Sequence, residues 1–411
     1  MTTLATGTTL AQVVSLFSAP ILYRIYSKED YGTIGLYMAI MGVVGVFSTL
    51  QYLQPILLER DDKEAKNVLW LNRLINVVIT LITLLVVLIL GENIGFWLNN
   101  ELITPWLILL PLSIFFTGQN SIFRVWANRK KEYRIMSLNA IFTAVITPLV
   151  AILVGVFNGG IIGLFLGYLC SQVIPSFVLL IYLTQKYKLG YHSFNKSAVK
   201  IKAIEHINYP KYSLPSELIN KLSNQLPVFM LSMYSGPAAV GLFNLGARML
   251  GLPLQLLGGA ISEVFKQQVA QDYNYNGSIQ RVFKKTLKTL AIISIIPTVI
   301  IVFWSQDIFG FMFGVEWVDS GTIAQCLLVY FMMKFIVSPL SYVIQIKDKL
   351  SVGLFKNVLT FIFMSLIFYL GFKLEYNYII VLLGFGMGYA FLDAFYLLYL
   401  YRLSLDRDNK N

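Results

Sequence analysis

Two cations stand where a bilayer-spanning helix should carry none. Lys221 lies in the apolar run 211–234 and Arg248 in the run 240–266, joined by the turn Ser235-Gly236-Pro237-Ala238-Ala239. A Lys or Arg at the centre of a spanning helix costs about 2.5–3.5 kcal/mol on the insertion scale, so such residues mark a partner, a cavity or a ligand. At about 1.5 Å per residue, Lys221 lies roughly 15 Å below one face and Arg248 roughly 12 Å below the other. The two therefore share a level near the midplane. Guanidinium matches phosphate in bidentate fashion, and Arg248 has no acid within four residues on its own helix. It is the leading candidate for binding an anionic headgroup.

Three further charges qualify each other. Glu217 precedes Lys221 by four positions and shares its helical face, so the two either neutralise one another or act together on a ligand. Lys334, in the cytoplasmic third of the run 319–341, is level with Asp393 in the run 377–401, which makes an ion pair one reading of it. Arg24 closes the first run at the outer edge, near enough to the boundary to snorkel. The candidate substrate-binding residues are thus Arg24, Glu217, Lys221, Arg248 and Lys334.

The elements that position them are spanning helices. Of 411 residues, 57% are hydrophobic and only 13% charged, against about 25% charged in a soluble domain; the mean hydropathy is +0.68. The net charge of +11 does not indicate nucleic acid, because the Lys and Arg fall in short loops between apolar runs. Cys170 and Cys326 lie inside apolar runs and suggest neither a disulfide nor a metal site. No cofactor motif is present: there is no phosphate-binding glycine loop ending in Lys-Ser/Thr, no HExxH and no CxxC. The first run passes into Arg24-Ile25-Tyr26 without a cleavage motif. A non-enzymatic membrane protein is expected.

Twelve runs reach the roughly 20 residues that a bilayer core requires: 4–26, 32–58, 67–91, 102–124, 134–157, 159–184, 211–234, 240–266, 285–308, 319–341, 351–373 and 377–401. Prolines within them, such as Pro148, Pro175 and Pro297, predict bent helices. One set of alternate loops, which includes Arg73, Lys202 and Lys356, holds 26 Lys and Arg; the other holds Arg24, Lys28 and Lys373. Positive charge concentrates on the cytoplasmic side, so both termini are expected there. Tyr23, Tyr26, Tyr31, Trp97, Trp106, Trp304 and Trp317 read as an aromatic belt at the outer boundary.

The longest connection, 185–210, separates two lobes, 1–184 and 211–411. Within it Val199, Ile201, Ile204 and Ile207 interleave with Lys200, Lys202, Glu205 and His206, which predicts a short interfacial helix on the cytoplasmic leaflet. His192 and His206 are expected to be solvated. Each lobe also opens with a related hairpin. Pro20–Tyr37 and Pro227–Leu245 both carry a proline, then Tyr-Ser (Tyr26-Ser27, Tyr234-Ser235), then a glycine opening the next run (Gly32, Gly241). Matched halves of this kind are the pattern of transporters built from two repeats.

Gly7-Thr8-Thr9-Leu10-Ala11-Gln12 through Pro20, Arg24, Tyr26-Ser27 and Glu29-Asp30-Tyr31-Gly32, together with Tyr209-Pro210-Lys211-Tyr212-Ser213-Leu214-Pro215, Gln225-Leu226-Pro227, Gly241-Leu242-Phe243, Arg248, Leu252-Pro253 and Val264-Phe265, resemble the bacterial polysaccharide (O-antigen type) flippases of the multidrug/oligosaccharidyl-lipid/polysaccharide exporter superfamily. The resemblance implies an all-α integral membrane fold, here of about twelve helices, in two pseudo-symmetric six-helix bundles around a central cavity. It implies a polyprenyl-diphosphate carrying an oligosaccharide repeat unit as substrate, moved across the bacterial inner membrane. A polysaccharide polymerase and a chain-length regulator become candidate partners beside membrane lipids. Where many relatives have Arg-Tyr-Glu late in helix two, this chain has Gln51-Tyr52-Leu53, which puts any role of that Arg or Glu in doubt here.

Two other functions compete. An ion-coupled exporter of cationic drugs should carry acids inside its first lobe, and helices one, three, four, five and six have none in their interiors. A membrane scaffold for glycan-assembling enzymes would leave the interior cations without a purpose.

Overall fold

The computed structural model describes the whole chain except residues 1, 158, 190–194, 254–256, 277–278, 348 and 406–411. Among the described residues every regular element is helical. The principal helices are α1 (Thr2–Ile25), α2 (Lys28–Val44), α3 (Asp62–Trp97), α4 (Leu110–Arg129), α5 (Tyr133–Val156), α6 (Ile162–Tyr187), α7 (Lys196–Glu205), α8 (Leu214–Pro253), α9 (Gly259–Asn276), α10 (Gln280–Phe313), α11 (Val318–Leu340), α12 (Leu350–Lys373) and α13 (Tyr378–Leu405). Among the described residues, ten stretches are long and apolar enough to cross a membrane. α1 is not one of them, and a single stretch, Tyr209–Leu252, covers most of two of the twelve expected runs, 211–234 and 240–266.

The chain packs as two compact units, Met1–Val240 and Gly241–Asn411. In the first, α5 packs on both α1 and α6, and α4 packs on α3 and α6. Its apolar core includes Ile56, Val68, Phe123, Trp126 and Leu183. In the second, α11 packs on α10 and α13, and α13 also packs on α12. Phe265, Phe283, Leu290, Phe335 and Leu400 lie at its core. The first unit extends past the linker to the middle of α8. The division into two six-helix lobes is a reading of sequence topology.

The two related hairpins turn by different chemistry. Ser27 caps α2 in a reciprocal box: its hydroxyl accepts from the Asp30 amide at 3.1 Å, and the Asp30 carboxylate accepts from the Ser27 amide. In the second hairpin the expected five-residue turn is a single residue. Gly236, at φ 78° and ψ −178°, breaks an otherwise continuous α8, a conformation essentially confined to glycine.

Several expected runs end differently. The run 32–58 is not one helix: α2 passes into a 3-10 turn at Gly45–Thr49, and Leu50 and Gln51 take positive φ of 45° and 64° before a short helix at Pro55–Leu58. The Gln51-Tyr52-Leu53 segment is therefore a break and not the end of a spanning helix. Arg73, counted above as a loop cation, lies inside α3 with its guanidinium 4.4 Å from the Trp70 ring centre. The aromatic belt is smaller than expected. Tyr23, Tyr26, Tyr31 and Trp317 are buried, Tyr26 donates to the Ala151 carbonyl at 2.6 Å, and Trp106 stacks on Phe165. Only Trp97 and Trp304 of the seven are exposed.

Candidate functional site

The first unit holds Arg24, Glu217 and Lys221. Arg24 is exposed in the last turn of α1. Glu217 and Lys221 face each other across one turn of α8 at 3.9 Å, with side chains 37% and 43% exposed. Contact that loose in so open a setting is worth about 0.3–0.5 kcal/mol. The Lys221 ammonium thus remains available to an anion. Neighbouring amides continue the polar surface: Asn220 donates to Glu217, and Asn224 donates to the Asn220 carbonyl at 2.8 Å.

The spanning helices of this unit are joined by uncharged polar groups. Gln119 donates to the Asn76 side chain at 2.9 Å, Asn139 donates to the Pro175 carbonyl at 3.1 Å, and Asn120 donates to Ser176 at 3.2 Å. These bonds satisfy amides that would otherwise be costly inside a bilayer. Their partners lie on adjacent helices, which makes them packing elements.

The second unit contains Arg248, exposed on α8, and a compact charged cluster among α11, α12 and α13. Lys334 donates to the Tyr330 hydroxyl at 2.8 Å. Tyr330 meets Tyr389 edge-on, with ring centres 4.4 Å apart. The Lys356 ammonium lies 5.1 Å from the Tyr389 ring centre and 2.8 Å from an Asp393 carboxylate oxygen. Asp393 is therefore the partner of Lys356, not of Lys334 as its level in the sequence suggested. The reason is register: Lys356 stands one and a half turns inside α12, not in a loop. The Asp393 side chain is 2% exposed and that of Lys356 18%, so this is a buried pair. Tyrosine faces complement the two ammonium groups through cation–π contact. The cluster thus holds two lysines and one carboxylate, an excess of positive charge, with Lys356 paired to Asp393 and Lys334 bonded to Tyr330.

The linker helix α7 is held by a clamp that the sequence reading missed. Lys202 sits 2.9 Å from Glu59, 3.1 Å from Glu64 and 2.8 Å from Glu205, and His206 contacts Glu59 at 2.7 Å. His206 was expected to be solvated and is half-buried, and Lys202 beside it is buried. His192 lies outside the described residues. Burial alone would raise the Glu59 carboxyl, but hydrogen bonds from His206 and Lys202 outweigh it and hold the group below its ordinary value. Burial disfavours the Lys202 ammonium, yet bonds to Glu205, Glu59 and Glu64 raise it above an ordinary lysine. Glu59, Glu205 and His206 place their ligand atoms within 4.8 Å of one another. The Lys202 ammonium takes the place of a cation among these carboxylates, so the group is an ion-pair clamp rather than a metal centre.

Comparison with known proteins gives this architecture a family. A family model described as "Polysaccharide biosynthesis protein" matches residues 21–322. The chain belongs to that family. A curated relative, the teichuronic acid biosynthesis protein TuaB of Bacillus subtilis (strain 168), is 22% identical over 306 residues, a match spanning 71% of this chain and 59% of TuaB. Two solved structures share the fold. The lipid II flippase MurJ superposes with a TM-score of 0.77 at 16% identity, covering 98% of this chain and 90% of MurJ. A multidrug resistance MATE family transporter of the MOP superfamily superposes with a TM-score of 0.75 at 14% identity, covering 98% and 96%. The protein is thus a multi-pass helical membrane protein of a polysaccharide biosynthesis family, with the fold shared by these two solved structures.

Proposed function

We propose that the protein flips lipid-linked oligosaccharide, carried on a polyprenyl diphosphate, from the inner to the outer leaflet of the bacterial cytoplasmic membrane by alternating access. The product feeds a surface polysaccharide of the O-antigen, capsule or exopolysaccharide kind, with a polymerase and a chain-length regulator as downstream partners. The observation that carries this reading is the sign of the interior charge. Lys334 donates to Tyr330 and Lys356 pairs with Asp393, so that cluster holds two lysines against one carboxylate, while Lys221 and Arg248 keep accessible side chains on α8. A diphosphate crossing a core where unpaired charge is expensive needs such cations, whereas an exporter of cationic drugs needs acids. In this reading Arg24 and Lys221 of the first unit and Arg248 and Lys334 of the second are each a cation for the diphosphate, and Glu217 orients Lys221.

The test is the lipid that accumulates when the gene is removed. The expected outcome is a polyprenyl-diphosphate saccharide that stays protected from impermeant periodate added outside spheroplasts, together with loss of surface polysaccharide. Unchanged lipids and unchanged polysaccharide, in a strain that has become drug-sensitive, would favour the ion-coupled multidrug exporter.

A further inference from the structure

The linker helix α7 has one face fastened to the protein and the other left apolar and basic. On the fastened face, Val199 is buried with Tyr52 and Leu71, and Tyr52 donates its hydroxyl to the Ala203 carbonyl at 2.9 Å. The Lys202 ammonium is held by three carboxylates from Glu59, Glu64 and Glu205. These contacts fix the rotation of the helix about its axis. As a consequence Ile201, Ile204 and the following Ile207 are 62%, 63% and 51% exposed. Lys196 and Lys200 are exposed on the same side of the helix, since residues 196, 200, 204 and 207 follow the helical spacing. The one lysine that faces inward is already neutralised, so the cations of the outer face are left for something else.

We propose that this face docks on the anionic headgroup surface of the cytoplasmic leaflet, with Ile201, Ile204 and Ile207 inserted at the acyl boundary and Lys196 and Lys200 on lipid phosphates. Two observations select lipid over a soluble partner. First, α7 is joined within nine residues at each end to a spanning helix, α6 ending at Tyr187 and α8 starting at Leu214, so it stays at the membrane surface. Second, apolar residues interleaved with lysines match the acyl boundary and its phosphates together, as in helices that lie in the interface plane. The clamp gives the docking a direction: Lys202 pulls one face inward, so the isoleucines cannot turn away from the bilayer. The surface is independent of the substrate proposed above.

The experiment places an environment-sensitive fluorophore on Ile204→Cys in full-length protein in which Cys170 and Cys326 are replaced by Ala, reconstituted in nanodiscs. With phosphatidylglycerol-containing lipid, the emission should be blue-shifted and quenched at least twofold more by a shallow spin-labelled lipid than by aqueous iodide. Pure phosphatidylcholine, or the Lys196→Gln/Lys200→Gln pair, should reduce that ratio. Preferential iodide quenching in both lipid mixtures would show a water-facing helix and overturn the proposal, as would a ratio unaffected by lipid charge.

Discussion

The carbonyl oxygen of Pro237 faces Gly32 so closely that a β-carbon on residue 32 would stand 1.7 Å from it. The two related hairpins therefore meet backbone to backbone at their turns, one capped by Ser27 and the other opened by Gly236. Ser232 reinforces the contact region by donating to the Leu98 carbonyl at 2.6 Å. Any side chain at position 32 must push the turn of α8 away. In protein with Cys170 and Cys326 replaced, Ala239→Cys should resist an aqueous maleimide, since Ala239 is 4% exposed. Adding Gly32→Val should raise the labelling rate about tenfold or more, the size expected when about 1.4 kcal/mol of closure is lost. An unchanged rate would mean the hairpins part and close regardless of this contact.

The buried Lys356–Asp393 pair makes a second prediction, about stability. Removing one partner of a buried pair leaves an uncompensated charge and costs about 3–5 kcal/mol. Asp393→Ala should therefore lower thermal stability in detergent strongly, and Lys356→Met in the same chain should restore most of it. Lys334→Met should not, because its hydrogen bond goes to Tyr330. Rescue by Lys334→Met instead would reassign the carboxylate to that lysine.

That pair also shows where sequence reading stops. Hydropathy located the spans, because a run of apolar residues leaves a helix few alternatives in lipid. It also placed Lys334, Lys221 and Arg248 inside spans. It did not give the rotation of neighbouring helices, so Asp393 was matched to Lys334 by level when register brings Lys356 to it. A one-residue kink at Gly236 looks the same in sequence as a five-residue turn. Tyr23, Tyr26 and Tyr31 resemble belt residues in composition, yet stacking at 3.9 Å between Tyr23 and Tyr31 and the bond from Tyr26 to Ala151 take them inside. The clamp on Lys202 was invisible for a similar reason: Glu59 and Glu205 are 146 positions apart, and only folding brings both to one ammonium.

The clamp predicts a pH response on the linker side. Glu59 has a folded value depressed below its unfolded one, so its contribution is present above the ordinary carboxylate value and is lost as pH falls through the folded value. The raised Lys202 contributes below the ordinary lysine value and is lost only as pH rises through its higher folded value. The window of full clamping therefore runs from mildly acidic to alkaline pH. Hydrogen exchange of α7 amides should be protected at pH 7 and should open below about pH 4, near the ordinary glutamate range. Glu59→Gln should show weak protection throughout. Equal protection in both proteins at pH 7 would remove Glu59 from the clamp.

Glu217 and Lys221 separate stability from transport. Their contact on an open helix face contributes only about 0.3–0.5 kcal/mol, so Lys221→Gln should insert and accumulate normally. Surface polysaccharide should nevertheless fall severalfold. If Glu217 serves only to neutralise Lys221, replacing both should be milder than replacing Lys221 alone. Additive losses would assign the two residues separate roles.

The sharpest test of the proposed headgroup site is Arg248. It is exposed on the second half of α8, on the far side of the Gly236 kink from Lys221, and its guanidinium offers a fork of donors that suits a diphosphate. Charge-assisted bonds of this type contribute about 1.5–3 kcal/mol each, enough to change transport by one to two orders of magnitude. Lys at position 248 keeps the charge and loses the fork, so it should support reduced polysaccharide export. Gln loses both and should support almost none, at normal protein levels in the membrane. The measurement is surface polysaccharide in a null strain carrying each variant, read beside an immunoblot of the membrane fraction. A null strain fully complemented by Arg248→Gln would remove Arg248 from the headgroup site and leave packing as the reason for a cation at that depth.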